Sequence, residues 1–330
     1  MRGRSAPRWY RSKLIALAAV IATANLAGCR YLRGKFKISS DLKVVGGARD
    51  IASSPSVVGM LIKYPGGTTS CTGALIRDDL ILTAAHCLID KGATEVLPFF
   101  NLTDSANDPF RSRNLSSSSF IVDSTYDATD VASSYGSDVA FVVFPKDTFK
   151  EQSKLKIASK SPAANDVVTL IGYGNTVIQD KSSNPDLKRY HGTNVIKEVK
   201  AEAASSIWLD SKSVSESTAG VGQGDSGGPL LNLQGEIVGI AHANNFTPPM
   251  GADKPSNAHV TPDNPLSSIF INVTTPSVAA FIKSVVEATD LTQLAKGKPS
   301  PAKVAETPKA SDATKSVSCT HLTLPTILHV

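Results

Sequence analysis

Short runs of β-branched and aromatic residues, each closed by turn-forming residues, most limit what this chain can fold into. They are SVVGMLIKY, GALIRDDLILTA, DVAFVVF, DVVTLIGYG, GEIVGIAHA and SSIFINV, bounded by clusters of Gly, Pro, Asn, Asp and Ser. Many short strands separated by turns favour a barrel or a sandwich. One helix is predicted in TPSVAAFIKSVVEATD, where Thr275 suits the N-cap and Pro276 the first helical position. Its apolar face would be formed by Val278, Phe281, Ile282, Val285 and Val286.

The chain divides by composition into four parts. Residues 1–28 carry a basic stretch and the 14-residue apolar run LIALAAVIATANLA, which indicates a signal segment because a spanning helix needs ~20 apolar residues. Residues 29–43 form a basic tether, and residues 44–288 form the globular domain. Residues 289–330 are a Lys/Pro/Ala-rich tail predicted to be disordered. Its last stretch, VSCTHLTLPTILHV, changes composition abruptly and is either native or adaptor-like read-through.

The apolar run ends in LAGC, which resembles the lipobox of bacterial lipoproteins. The resemblance implies cleavage before Cys29 and a lipid on its thiol, where several acyl chains give stable anchoring. The alternative is an ordinary signal peptide with an incidental cysteine. Either interpretation predicts export, which permits disulfide bonds.

Neither the charge of the chain nor the spacing of its histidines indicates nucleic-acid binding or metal binding. The formal net charge of +5 does not predict a nucleic-acid partner, because the basic residues of both ends supply much of it. His191, His242 and His259 are scattered without the spacing of a metal site, so we expect no metal and no cofactor.

Two stretches carry residue types that could perform chemistry. The segment GVGQGDSGGPLL surrounds Ser226 with glycines and places Asp225 directly before it, although alone it would be an ordinary turn. The second stretch, CTGALIRDDLILTAAHC, begins at Cys71, ends at Cys87 and places His86 at the end of a strand-like run. If the two cysteines bond, the closed loop contributes ~3 kcal/mol in the chain-entropy model and fixes the backbone that carries the histidine.

Together these stretches resemble the trypsin/chymotrypsin family of serine proteases. TAAHC is similar to the family's histidine motif, GDSGGP to its serine motif, and GYGNT to a further family segment. The separation of Cys71 and Cys87 is similar to that of the family's histidine-loop disulfide. The resemblance covers roughly residues 44–288. It implies an all-β fold of two six-stranded antiparallel β-barrels with a C-terminal helix, and a serine endopeptidase that acts through an acyl-enzyme.

The resemblance also implies roles for single residues. Ser226 would be the nucleophile, which needs a neighbouring base, and His86 would be that base. Asp138, in YGSDVAFVVF, is the candidate for orienting the imidazole, because it lies between the other two in the chain and precedes an apolar strand. Its rivals are Asp123, Asp127 and Asp130. The amides of Gly224 and Ser226 would stabilise the oxyanion.

The segment LKVVGGARD resembles the activation sequence of the same family. Cutting after Lys43 would expose the α-ammonium of Val44, which the resemblance pairs with Asp225. The alternative is a plain strand followed by a Gly-Gly turn. If Cys29 carries a lipid, the cut removes the anchor, and we expect activation by another protease to release the enzyme from the membrane.

The predicted substrate pocket is uncharged. Gly220 stands where a trypsin has aspartate, so cleavage after Lys or Arg is not expected. Asn244 and Ser268 align with two wall positions that are often glycine, and they would narrow the pocket to small or medium uncharged residues. Gln223 and His242 are expected to line the cleft.

Two other classes of protein remain open. A catalytically inactive, protease-like binding protein would keep the fold and lose a catalytic residue, and an anchored structural lipoprotein would carry the motifs by coincidence. A nucleophile-elbow hydrolase is not favoured, because GDSGG is followed by the strand-like PLLNL and not by a helix. We therefore expect an exported, monomeric enzyme that acts on proteins or peptides.

Overall fold

The computed structural model describes residues 44–50, 54–100, 115–129, 136–176, 178, 188–200, 205–247 and 256–295. The predictions for the signal segment, the tether with Cys29 and Lys43, and the tail from residue 296 lie outside these residues. No helix within the described ranges is long and apolar enough to cross a membrane.

The described residues are mostly β. The strands are β1 Ala48–Arg49, β2 Val57–Tyr64, β3 Gly67–Arg77, β4 Leu80–Thr83, β5 Glu95–Phe99, β6 Ser119–Val122, β7 Ala140–Val143, β8 Val167–Gly172, β9 Tyr190–Lys200, β10 Ser206–Ser211, β11 Pro229–Leu231, β12 Ile237–Asn245 and β13 Leu266–Asn272. Two α-helices lie wholly within the described residues, α1 His86–Ile89 and α2 Pro276–Val286.

The first half of the domain is a six-stranded antiparallel sheet in the order β5-β2-β3-β4-β7-β6. The sheet curls so that its two end strands approach each other, and we call it the first barrel; the strands of the second half form the second barrel. Val96 in β5 exchanges two backbone hydrogen bonds of 2.8 and 2.9 Å with Ser117, just before β6. The apolar faces of these strands, including Leu75, Ile81 and Phe141, are buried inside the curl. Burying one face of each strand is what the apolar runs of the sequence predict.

The second half closes completely. Six antiparallel strands form the ring β8-β9-β10-β13-β12-β11, because β8 pairs with both β9 and β11. Strand β1 adds to β9 through Ala48 and Arg49. The predicted all-β fold of two six-stranded antiparallel sheets followed by a C-terminal helix is confirmed.

Helix α2 returns to the first half of the molecule. Pro276 occupies its first turn after the N-cap Thr275, as predicted. The ring of Phe281 lies 5.6 Å from that of Phe141 in β7, centroid to centroid. The side chains that α2 buries in the core of the first barrel are Val278, Ile282 and Val285, with Phe281 and Val286 partly buried.

The folded chain continues beyond residue 288, where the sequence predicted the domain to end. Leu291 is only 6 % exposed and belongs to the core of the first barrel. Arg77 at the end of β3 donates to the carbonyls of Val286 and Ala288 at 2.9 and 2.7 Å. The side chain of Arg77 therefore satisfies carbonyls that the end of a helix leaves without intrahelical partners.

Candidate active site

His86 lies where strand β4 ends and the single turn of α1 begins. The next residue, Cys87, is buried and forms a disulfide with Cys71 in β3. The predicted disulfide is therefore confirmed. It fixes the backbone beside His86 to the neighbouring strand.

Asp138 comes beside His86 because β4 and β7 are paired. Thr83, at the end of β4, is opposite Ala140, at the start of β7, so the residues that flank these ends meet. The Nδ1 atom of His86 lies 2.7 Å from Oδ2 of Asp138, and the backbone N–H of His86 donates to Oδ1 at 2.7 Å. The carboxylate has no solvent exposure. A buried carboxylate stays charged only when it is hydrogen-bonded or paired with a cation, and Asp138 accepts several hydrogen bonds.

The two groups shift each other's protonation. Burial alone would raise the pKa of Asp138, but the charge of His86 and the hydrogen bonds from His86 and His242 hold that pKa well below its usual range. Burial alone would lower the pKa of His86, but the charge of Asp138 and their hydrogen bond outweigh it, so the pKa of His86 is raised. The site therefore combines a stable carboxylate with an imidazole that accepts a proton readily.

The rival carboxylates do not make this contact where the structure describes them. Asp123 and Asp127 lie in a surface turn and accept hydrogen bonds from Thr125 and Thr129. Asp130 lies outside the described residues.

Ser226 and His86 both lie close to the disulfide. The sulfur of Cys87 lies 3.8 Å from Nε2 of His86 and 3.7 Å from the carbonyl oxygen of Ser226. The same carbonyl accepts from the backbone N–H of Thr72 in β3 at 2.8 Å. The half-buried Ser226 is thereby tied to the strand that carries the other half of the disulfide.

Two glycines permit the tight path of the chain around Ser226. Gly224 has φ +99° and Gly227 has φ +81°, in the region that disfavours other residues. A Cβ at Gly227 would collide with the hydroxyl of Thr83 and the carbonyl of Thr72. The first barrel therefore lies so close to the loop that carries Ser226, called the serine loop below, that no side chain fits between them at Gly227.

Hydrogen bonds fix the orientation of two peptide groups, the one between Gln223 and Gly224 and the one between Asp225 and Ser226. Asn175 donates its backbone N–H to the carbonyl of Gln223 at 2.7 Å, and Gly228 donates to that of Asp225 at 2.8 Å. Because the C=O and N–H of a trans peptide point in opposite directions, the N–H groups that follow these carbonyls point away from the body. These are the amides of Gly224 and Ser226, and neither has a hydrogen-bond partner within the described part of the chain.

Asp225 points the other way, into the protein. Its two carboxylate oxygens accept from the backbone N–H groups of Gly174 and Gly222, both at 2.8 Å. A Cβ at Gly172 or Gly174 would collide with the carboxylate, so the GYGNT segment leaves room for it. Burial raises the pKa of Asp225 to about 7, although the two amides lower it. No cationic side chain of the described residues bonds to it.

The segment after the predicted activation cut lies inside the molecule. The side chain of Val44 is 1 % exposed and belongs to the core of the second barrel. Val45 pairs with Gly220, whose N–H donates to the carbonyl of Val45 at 2.9 Å.

The three predicted pocket residues come together. Asn244 is opposite Ser268 in the β12–β13 ladder. Both bind the backbone of Val221: the Asn244 amide donates to its carbonyl at 2.8 Å, and the Ser268 hydroxyl accepts its N–H at 2.9 Å. A Cβ at Gly220 would collide with Leu266. Leu266 was not predicted as a pocket residue, although it precedes Ser268 by two residues and so lies on the same face of the strand.

The remaining predicted cleft residues differ in setting. Gln223 is exposed on the serine loop. His242 makes a contact that the sequence did not predict: its Nδ1 atom lies 2.5 Å from Oδ2 of Asp138. The possible ligand atoms of His86, Asp138 and His242 all lie within 4.8 Å of one another, so these side chains could hold a metal ion. Such an ion would replace the hydrogen bonds just described.

Two six-stranded barrels with these side chains define the chymotrypsin-like class of fold. Mouse neuropsin superimposes with a TM-score of 0.52 at 17 % identity, covering 73 % of this chain and 99 % of neuropsin. Human heparin binding protein does so with a TM-score of 0.51 at 16 % identity, covering 78 % and 100 %. At these identities the likeness shows the fold alone.

The family model for Trypsin matches residues 43–256. The chain belongs to the trypsin family and is a serine endopeptidase. Trypsin delta of Drosophila melanogaster is 28 % identical over 212 residues, covering 61 % of this chain and 78 % of the relative. The vitellin-degrading protease of Bombyx mori is 28 % identical over 219 residues, covering 61 % and 75 %.

Proposed function

We propose that this serine endopeptidase cleaves peptide bonds with Ser226 as nucleophile, His86 as general base and Asp138 as the group that orients the base. The observation that carries the proposal is the buried hydrogen bond of 2.7 Å between Nδ1 of His86 and Oδ2 of Asp138. An imidazole that donates through Nδ1 keeps its Nε2 lone pair for the serine proton. Nε2 faces the sulfur atom that also contacts Ser226.

The reaction would proceed in two acyl-transfer steps. Ser226 Oγ attacks the carbonyl carbon while its proton passes to His86, and negative charge develops on the carbonyl oxygen. The amides of Gly224 and Ser226 stabilise that charge. His86 then gives the proton to the leaving amine, and water hydrolyses the ester by the same route. Asp138 remains ionised throughout and stabilises the imidazolium.

We further propose that the residue before the scissile bond is small or medium and uncharged. No charge stands at Gly220, and Leu266 occupies the space beside it. The side chains of Asn244 and Ser268 are both tied to Val221 and so reduce the width between the pocket walls.

We propose that the chain is made as a precursor that is cut after Lys43. Two observations support this: Val44 is already buried in the second barrel, and Asp225 is buried with amide donors and no cation from the described side chains. A new α-ammonium at Val44 would neutralise that carboxylate, which is costly to leave buried and charged. The pairing would favour the loop conformation that presents the amides of Gly224 and Ser226.

The precursor would be exported and held at the membrane by a lipid on Cys29. The cut after Lys43 separates that residue from the domain. Cys71 and Cys87 bond to each other, so neither can tie the tether to the mature enzyme. Activation would therefore also release the enzyme.

Labelling by a serine-directed phosphonate tests the catalytic proposal. The domain begun at Val44 should react, Ser226→Ala should not, and a peptide library should show cleavage after small uncharged residues. A folded domain that does not react would favour the protease-like binding protein instead. Cleavage chiefly after Lys or Arg would overturn the pocket assignment.

Fractionation of cells that express the full chain tests the anchor. Wild type should yield soluble active enzyme, Lys43→Gln should remain in the membrane uncut, and Cys29→Ala should be soluble even when Lys43 is also replaced. Equal membrane retention of mature, active wild type would contradict release on activation.

A further inference from the structure

The buried carboxylate of Asp138 receives a second imidazole from the other barrel. Strand β12 shifts register against β13 between Ala241 and Ala243, so His242 is the extra residue of a β-bulge. Bulges re-aim a side chain out of the regular alternation of a strand. Here the side chain of His242 is directed across to Asp138, which precedes a strand of the first barrel.

The two carboxylate oxygens of Asp138 accept different numbers of hydrogen bonds. Oδ1 accepts the backbone N–H of His86, whereas Oδ2 lies 2.7 Å from Nδ1 of His86 and 2.5 Å from Nδ1 of His242. The two rings lie edge to face, with centroids 5.9 Å apart and an interplanar angle of 80°. A carboxylate oxygen can accept two donors at once, so both imidazoles can bond to Oδ2 through their Nδ1 protons.

We propose that His242 is a positioning residue for the catalytic pair: its Nδ1–H group donates to Oδ2 of Asp138 and holds the carboxylate where it orients His86. This inference rests on the proposed function. Asp138 then receives donors from both barrels, so the geometry of the base is coupled to the packing of the two barrels. A carboxylate without this donor could rotate, and a displacement of about 1 Å at such a site costs roughly a hundredfold in rate.

The donor should also moderate the field at His86. A hydrogen bond from His242 withdraws charge from Oδ2, so less of the carboxylate charge stabilises the imidazolium of His86. The other titratable groups that act on the pair are Asp90, whose charge also reaches His86, and Tyr126, whose hydroxyl donates to Asp90. Both lie in the first barrel and stay unchanged when His242 is replaced.

Two substitutions of His242 test which of its two ring nitrogens is the hydrogen-bond donor to Asp138. His242→Asn places an amide N–H near the position of Nδ1, and His242→Gln places it near that of Nε2. If Nδ1 is the working donor, Asn should keep kcat within a few fold of wild type. Gln should lower kcat by roughly tenfold to a hundredfold with little change in KM. The acid limb of kcat/KM should move to higher pH in Gln and not in Asn. All assays contain a chelator, so that no metal ion at the cluster contributes.

The outcomes distinguish this inference from the proposed function. If wild type is active and Gln equals wild type in kcat and pH profile, the positioning role is wrong while the catalytic proposal stands. If both variants raise KM alike, His242 belongs to substrate binding and the inference also fails. A wild type that neither cleaves nor reacts with the phosphonate would instead remove the proposed function.

A spectroscopic measurement covers the case in which Gln does not fold. Wild type labelled with ¹⁵N-histidine should show two low-field Nδ1 protons, and His242→Asn should keep only that of His86. A single low-field proton in wild type would overturn the inference.

Discussion

At residue 138 a carboxylate without solvent exposure accepts N–H groups from the backbone and ring of His86 and from the ring of His242. The two histidines are held by different constraints: α1 and its disulfide hold His86, and the bulge in β12 holds His242. The charge of Asp138 is thus stabilised by geometry that the rest of the molecule fixes. Changes at this residue should affect rate far more than substrate affinity.

The first prediction replaces that carboxylate by an amide. Asp138→Asn removes the charge and forces His86 into the wrong tautomer, so kcat should fall by about 10⁴-fold, the loss known for this kind of triad, with KM nearly unchanged. Asp127→Asn is the matched control, because Asp127 is exposed in a surface turn, and it should keep wild-type kcat. Steady-state kinetics of both variants on one peptide substrate provide the comparison. A loss of less than tenfold in Asp138→Asn would contradict the assignment.

The pH profile provides the second prediction. In the proposed mechanism His86 must be neutral to accept the serine proton, and Asp138 raises the pKa of His86 above the ordinary value of 6.5. Activity should therefore fall as pH decreases through a midpoint above 6.5, measured as kcat/KM of the enzyme begun at Val44. A midpoint at or below 6.5 would show that burial dominates over the carboxylate.

The third prediction concerns Asp225 in the chain that is not cut after Lys43. Its pKa in the folded state is about 7, above the ordinary value of 3.8, so between these values the folded state binds more protons than the unfolded state. The stability that Asp225 contributes is then fully present below about pH 4 and is lost as pH rises towards 7. The urea midpoint of Lys43→Gln should fall between pH 5 and pH 8. Adding Asp225→Asn should remove that component of the fall, and parallel pH profiles for the two proteins would disprove it.

The sequence predicted the candidate site residues that carry a motif, and it missed those that depend on strand register. TAAHC and GDSGGP identify His86 and Ser226 directly, and the apolar run after Asp138 singles out that carboxylate. The contact of His242 with Asp138 depends on a bulge, and a one-residue register change alters which face a side chain occupies. No local pattern shows where such a shift will occur.

At the scale of elements, strands that form continuous apolar runs were easier to predict than strands in which polar residues interrupt the apolar ones. Strands β2, β7 and β8 coincide with apolar runs of the sequence, and α2 begins at the predicted cap. Strand β9 was missed because its buried residues alternate with exposed ones such as Lys197, so its mean apolar content is low. The closure of each barrel is also long-range, since it depends on pairings such as β8 with β9 and β11.

The disulfide between β3 and α1 belongs to this scale and gives the fourth prediction. Replacing Cys71 and Cys87 together by alanine should lower the free energy of unfolding by ~3 kcal/mol, because the closed loop no longer restricts the unfolded chain. It should also lower kcat, since the sulfur of Cys87 contacts both His86 and Ser226. Urea denaturation measures the first effect. A reductant should weaken wild type to the level of the double variant and leave that variant unchanged.

At the scale of the whole molecule, the two barrels are joined by polar contacts as well as by packing. Asp50 follows β1 and Arg189 precedes β9, both in the second barrel, and their side chains form an ion pair of 3.0 Å. Arg189 also donates to the carbonyl of Val57, at the start of β2 in the first barrel, at 3.3 Å. The side chains are 3 % and 1 % exposed for Arg189 and Asp50. This contact links the start of β2 in the first barrel to the residue before β9 in the second.

The fifth prediction concerns the loss of the cation from the Asp50–Arg189 ion pair. Arg189→Met should lower the free energy of unfolding by roughly 3–5 kcal/mol, because it leaves Asp50 buried without its cation. Replacing both partners by apolar residues, Asp50→Leu with Arg189→Met, should recover most of that loss, since the buried charge is then gone. The exposed pair Lys63–Glu95, with side chains 51 % and 33 % exposed, is the matched control, and Lys63→Met should cost less than about 1 kcal/mol. Urea unfolding of the four proteins tests this order. If Arg189→Met costs no more than Lys63→Met, the buried ion pair does not stabilise the fold more than an exposed one does.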